Sequence, residues 1–136
     1  MRQQSTRPIP FVYDENALFW EGARRHELMI QRCKDCGNFQ FYPRTNCTRC
    51  LSENVEWVKA SGKGKVYSFT IAYRPGNPAF VNDVPYNIAI VELEEGVRMP
   101  SSIVDCKNED IKCDMHVQVV FDDVSPELAL PKFKPV

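Results

Sequence analysis

The chain has 136 residues, 43% hydrophobic and 26% charged. This composition supports a globular core and excludes global disorder, and the length excludes a (β/α)8 barrel, which needs roughly 200 residues or more. Lys and Arg number 17 against 18 Asp and Glu, so the net charge of -1 counts against the strongly basic character of typical nucleic-acid-binding domains and leaves room only for a local patch.

Behind Met1-Arg2-Gln3-Gln4 there is no apolar stretch. The longest strongly apolar run, around Ile88–Val91, is far below the roughly 20 residues of a spanning helix. The expectation is a cytoplasmic protein with no membrane association, in a reducing compartment that disfavours disulfides.

Residues 1–11 are polar and punctuated by Pro8 and Pro10, which reads as an extended arm. Asp14 is a good N-cap for a helix from Glu15 to about Arg25, with Tyr13 and Leu18 placed as a hydrophobic staple. Phe19 and Trp20 are adjacent, about 100° apart around the helix, which widens its apolar face. They read as core anchors or as contacts for a partner protein, since aromatics are favoured interface anchors. His26, at the helix end, is explained by the helix dipole.

Six cysteines in a short chain imply a disulfide framework or a metal site, and spacing decides between them. Cys33-Lys34-Asp35-Cys36 and Cys47-Thr48-Arg49-Cys50 are two C-x-x-C pairs separated by ten residues. Thiolates at i and i+3 of a tight knuckle face one ion, and a second knuckle completes a tetrahedron with Zn–S near ~2.3 Å. Gly37 lets the first knuckle turn; Leu51 in the same place predicts a less regular second one. Four protein thiolates leave no open position, so a structural zinc is expected rather than a catalytic one. A rubredoxin-like electron carrier holding iron is the alternative. Leu28–Arg32, Phe39–Tyr42 and Val55–Lys59 flank the knuckles as short strands, the layout of a zinc ribbon over residues 27–60 after an N-terminal unit of residues 1–26. Cys106 and Cys113 lie outside this window and read as buried, inert thiols; His116 is the only base near Cys113 in sequence.

Ser61-Gly62-Lys63-Gly64 reads as a hinge, and residues 61–136 beyond it as all-β. In Lys65–Tyr73, Tyr67, Phe69, Ile71 and Tyr73 share one face, which the alternation assigns to the core. Tyr86–Leu93, a Glu94-Glu95-Gly96 turn, Val97–Asp105, a helical turn at Asn108–Ile111, Met115–Phe121 and Glu127–Lys132 complete a mainly β fold. Five strands of this length fit a partly open OB-type barrel.

The chain resembles a family of zinc-ribbon plus OB-fold proteins associated with acyl-CoA enzymes, the domain of unknown function 35 type. The resemblance rests on Phe19-Trp20-Glu21-Gly22, Gln31-Arg32-Cys33-Lys34-Asp35-Cys36-Gly37, Tyr42-Pro43-Arg44, Gly62-Lys63-Gly64-Lys65-Val66-Tyr67-Ser68-Phe69-Thr70, Pro85-Tyr86, Glu94-Glu95-Gly96-Val97-Arg98, Val119-Val120-Phe121 and Leu130-Pro131-Lys132-Phe133-Lys134-Pro135. It covers nearly the whole chain from about residue 14. Asp114 stands where members usually carry glycine, and Asp tolerates a left-handed turn.

The resemblance implies a small accessory subunit beside a thiolase, ketosynthase-like enzyme or hydratase, in a hetero-oligomer whose partner carries the catalytic residues. Thiolase-associated members are the most similar, among them the small subunit of the benzoylsuccinyl-CoA thiolase of anaerobic toluene breakdown. It also implies a shared site for a coenzyme A thioester. The cations available to its phosphates are Arg44, Arg49, Lys63, Lys65 and Arg74. A nucleic-acid-binding zinc-ribbon/OB protein is the competing class, with Tyr67, Phe69 and Tyr73 as possible stacking residues. Independent catalysis has little support, since only two histidines, His26 and His116, are present.

Overall fold

The fold is seen in a computed structural model that describes residues 9–136. Most of the expected N-terminal arm, residues 1–8, lies outside the described residues.

Helix α1 is Ala17–Arg24, so it begins two residues later than the sequence suggested. Asp14 does not cap it. The chain turns between Tyr13 and Asn16, and Asn16 is drawn into the interior at 1% exposure. Asn16 Oδ1 accepts from the Tyr13 N–H, while its Nδ2 donates to the Phe11 carbonyl and the Tyr42 hydroxyl. Tyr13 and Leu18 both stay exposed and close no staple. The helix ends in a left-handed residue, His26 at φ 60°, with the His26 N–H bonded to Ala23 O and the Glu27 N–H to Gly22 O. That pairing satisfies the last carbonyls.

Strands β1 (Met29–Cys33), β2 (Phe39–Gln40) and β3 (Val55–Lys59) form an antiparallel sheet in the order β2-β1-β3. The knuckles lie in its connections. Strands β4 (Lys63–Ala72), β5 (Tyr86–Leu93), β6 (Arg98–Ser101), β7 (His116–Ser125) and β8 (Leu128–Pro135) form a second sheet in the order β6-β5-β4-β7-β8. It curls until its two edges meet: Ile103 bridges Phe133, and Ser101 Oγ donates to Pro131 O. The mainly β fold with a five-stranded OB barrel is as expected, and the polar excursion holds a 3-10 turn at Asn108–Asp110.

The barrel core contains Val66, Ala89, Val91, Met99, Val117 and Phe133, and it runs without interruption into Phe19, Leu28 and Ile30 of the N-terminal part. Gly62 is a fixed joint, not a hinge. It is buried at φ +80°, its carbonyl accepts from Val119 N, and a Cβ there would lie 2.6 Å from Val119 Cγ1.

Strand β4 departs from plain alternation. A bulge between Val66 and Ser68 leaves Tyr67 as the extra residue. One inserted residue reverses the facing of what precedes it. Val66 therefore joins Phe69 and Ile71 on the core side, while Tyr67 and Tyr73 are exposed, correcting the assignment of all four aromatic and aliphatic residues to the core. None of the described helices is long and apolar enough to cross a membrane.

Candidate metal centre and adjoining surfaces

Cys33 ends β1, and its N–H bonds back to Asn38 O across the first knuckle. Cys47 mirrors it, donating to Ser52 O across the second. The Gly37 N–H reaches Cys33 O at 2.9 Å, and the Leu51 N–H reaches Cys47 O at 3.0 Å. Gly37 lies at φ 77° and Leu51 at φ 65°. The second knuckle is therefore as regular as the first, with a leucine held in the left-handed region.

The four sulfurs of Cys33, Cys36, Cys47 and Cys50 lie within 4.8 Å of one another. Cys33 and Cys50 are 3.5 Å apart and Cys36 and Cys47 3.6 Å. A zinc tetrahedron with Zn–S of about 2.3 Å has edges of about 3.8 Å, so the donor set fits the ion. Backbone N–H groups point at the sulfurs: Cys36 N at Cys33 Sγ, and Arg49 and Cys50 N at Cys47 Sγ. These bonds draw the Cys33 thiol below its ordinary value and Cys47 down to about 6. For Cys50, the Ser52 N–H pulls downward, but the adjacent Cys33 sulfur, burial and the other two thiols push it up to about 12. Four thiolates crowded together repel one another, and a divalent cation removes that repulsion. Zinc would hold these residues together without offering an open coordination position.

Sequence reasoning missed the residues that set the distance between the knuckles. Gln31 and Gln40 are paired across β1 and β2 and buried. Gln31 Oε1 accepts from Arg44 N and from Gln40 Nε2, and Gln31 Nε2 donates to Arg44 O. Gln40 Oε1 accepts from Thr48 N, at the start of the second knuckle. Alternation gives no sign of them: Gln31 lies between Ile30 and Arg32, and Gln40 between Phe39 and Phe41.

The two aromatics of α1 separate. Phe19 is 2% exposed and packs on Phe41 and Tyr42, so it is a core anchor and presents no surface to a partner. Trp20 is half-buried and lines an apolar groove of about 320 Å³ with Phe41, Pro100, Leu130 and Pro131. Its indole N–H is buried and has no acceptor among the described residues.

The five cations do not converge. Lys63 and Lys65 share a groove of about 400 Å³ with Glu92, Glu94 and His116, and Lys65 pairs with Asp114 at 3.8 Å. Arg74 follows the far end of β4, about 30 Å from Lys65 along an extended strand. Arg44 and Arg49 belong to the second knuckle region, both exposed. Asp114 adopts φ 66°, the left-handed turn expected of it. Cys113 is exposed and Cys106 only half-buried, which corrects the expectation of buried thiols. No hydrogen bond joins Cys113 to His116 among the described residues.

Two family models divide the chain. One described as the ChsH2 rubredoxin-like zinc ribbon domain matches residues 20–56, and one described as the ChsH2 C-terminal OB-fold domain matches residues 57–122. A DUF35 domain-containing scaffold protein of Methanocaldococcus jannaschii is 44% identical over 98 residues, covering 71% of this chain and 69% of the relative. The chain belongs to the DUF35 family. Another relative is a probable enoyl-CoA hydratase alpha subunit of Thermomonospora curvata, 37% identical over 134 residues. The match takes in 98% of this chain but only 41% of that longer protein. The benzoylsuccinyl-CoA thiolase subunit BbsA of Geobacter metallireducens is 34% identical over 93 residues, 68% of this chain and 60% of the relative. Among solved structures, a chain of the Ltp2-ChsH2(DUF35) aldolase superposes with a TM-score of 0.83 at 37% identity, covering 93% of this chain and 98% of that one. The DUF35 zinc ribbon and the four adjacent cysteines together support a structural zinc.

Proposed function

We propose that this DUF35 chain is a zinc-stabilised accessory subunit of an acyl-CoA-processing complex, and that the catalytic residues reside on its partner. The observation that carries the reading is the closed Cys₄ cluster fused to a barrel, in a family whose similar members are named as hydratase alpha subunits, thiolase subunits and scaffolds. Cys33, Cys36, Cys47 and Cys50 bind zinc, and the ion fixes the fold without touching substrate. The partner is a thiolase-type enzyme; the likeness to BbsA supports this choice and an aromatic acyl group. Trp20 contributes to the partner contact, and Lys63 and Lys65 approach the phosphates of the bound thioester, supported by their common groove. Arg44, Arg49 and Arg74 are dispersed and have no joint role in that contact.

Co-expression with thiolase-type subunits tests the proposal. The expected result is a stable hetero-oligomer containing stoichiometric zinc, whose thiolase activity needs both chains. In that complex Lys63→Ala with Lys65→Ala raises KM for the CoA thioester several-fold. A chain that remains alone and binds single-stranded DNA with a steep salt dependence would sink the reading.

A further inference from the structure

The outer face of strand β5 carries two successive isoleucines, Ile88 and Ile90. Asn87, Ala89, Val91 and Leu93 point inward and are buried, while Tyr86, Ile88, Ile90 and, at the end of the strand, Glu92 point outward. An antiparallel strand with a solvated outer face alternates apolar with polar residues, and Ile88 and Ile90 depart from that pattern. Ile88 is 43% exposed. It lies opposite Thr70, and Ile90 lies between Ser68 of β4 and Pro100 of β6.

The bulge in β4 extends this surface. It turns Tyr67 outward, 46% exposed, and the Arg98 guanidinium lies over the ring at 3.7 Å from its centroid. Arg98 Nε in turn donates to Glu92 at 3.0 Å. The centre is thus apolar, and Arg98 at its margin is already matched by Glu92. Nucleic acid on an OB face needs uncompensated cations along its backbone. An apolar centre bordered by Tyr and Arg is the composition of a protein-binding hot spot. Pro100 also lines the groove that holds Trp20, so this face is continuous with the contact proposed above for Trp20.

We infer that the outer face of β4, β5 and β6, centred on Ile88 and Ile90, is the surface on which the acyl-CoA enzyme subunit docks. The inference rests on the accessory-subunit reading and adds the location of the contact. The partner presents a complementary apolar patch to Ile88 and Ile90 and packs against the stacked Tyr67–Arg98 pair.

The experiment uses the full chain and the thiolase-type subunit that co-purifies with it. Ile88→Lys and Ile90→Lys, each checked for zinc content and native circular dichroism, are compared with Glu53→Lys on the zinc-ribbon surface. Each lysine on the β5 face is expected to weaken the complex by 100-fold or more, and Glu53→Lys by less than threefold. Hydroxyl-radical footprinting of the unsubstituted complex is expected to protect Tyr67 and Ile88. An intact complex whose affinity is unchanged by both lysines, with Tyr67 and Ile88 oxidised as in the free chain, overturns the docking surface and leaves the accessory-subunit reading standing. Loss of a homodimer of this chain in the lysine variants, with the thiolase contact unaffected, assigns the face to a second copy and also overturns it. Failure of the unsubstituted chain to bind any acyl-CoA enzyme overturns both readings.

Discussion

Leu51 repeats with a side chain what Gly37 does without one. A non-glycine residue in the left-handed region costs roughly 1–2 kcal/mol, and Leu51 recovers little by burial because it is 74% exposed. Leu51→Gly is therefore expected to raise stability by about 1 kcal/mol, read from denaturant unfolding of the zinc-loaded chain. Unchanged or lower stability would show that the leucine is held by contacts that offset its strain. The thiols give a second test at this scale. Zinc entry displaces protons from Cys50, pushed up to about 12, and from Cys36, also raised. Each proton released makes apparent affinity tenfold stronger per pH unit of increase. Affinity should rise from pH 6 to pH 8 and fall on acidification, most steeply where the Cys47 thiolate, at about 6, is also protonated. Chelator competition across that range measures the slope; a flat profile would exclude thiolate ligation. Cys36→Ser should lose zinc and unfold the first sheet.

At the scale of elements, the entry to α1 depends on one buried amide. Asn16 joins the Phe11 carbonyl, the Tyr13 N–H and the Tyr42 hydroxyl. Asn16→Ala leaves these groups without their partner and is expected to cost about 2 kcal/mol, against about 1 kcal/mol for Tyr42→Phe. The double variant should fall short of the sum, which thermal unfolding in a double-mutant cycle can read. Full additivity would mean that the two side chains act independently. Gly62→Ala tests the joint between the sheets: a Cβ at 2.6 Å from Val119 and a positive φ both oppose it, so a loss of about 2 kcal/mol or more is expected in the same measurement.

For the whole molecule, the continuous core makes the metal a global matter. Phe19, Leu28 and Ile30 pack into the same cluster as Val66, Val91 and Phe133. A second tie is the His26 imidazole, which stacks on Phe121 at 5.2 Å and bonds Asp123. Chelation should therefore lower the melting temperature of the barrel as well as the first sheet, visible as a shift of one cooperative transition. Two separate transitions, with the barrel unmoved, would contradict the coupling.

How much was legible depends on the range of the determining interaction. The cysteine spacing alone singled out the four thiols that the fold brings together, because i, i+3 thiols and a short connection leave few other arrangements. The five barrel strands and the turn at Gly96 were legible for the same local reason. Inward Gln31 and Gln40 were not, because their partners are backbone groups of the segment from Arg44 to Thr48, brought close only by folding. The facing of Tyr67 depended on a bulge that alternation cannot reveal. Asn16 displaced Asp14 because the Tyr42 hydroxyl, 26 positions away, was waiting for its amide. The separation of Phe19 from Trp20 was likewise decided by which ring entered the shared core. The sequence by itself determined the four-cysteine cluster, the order of elements and the near-neutral charge. Only the tertiary structure decided which apolar residues are core and which form an uncovered face, since burial is a property of neighbours distant in the chain.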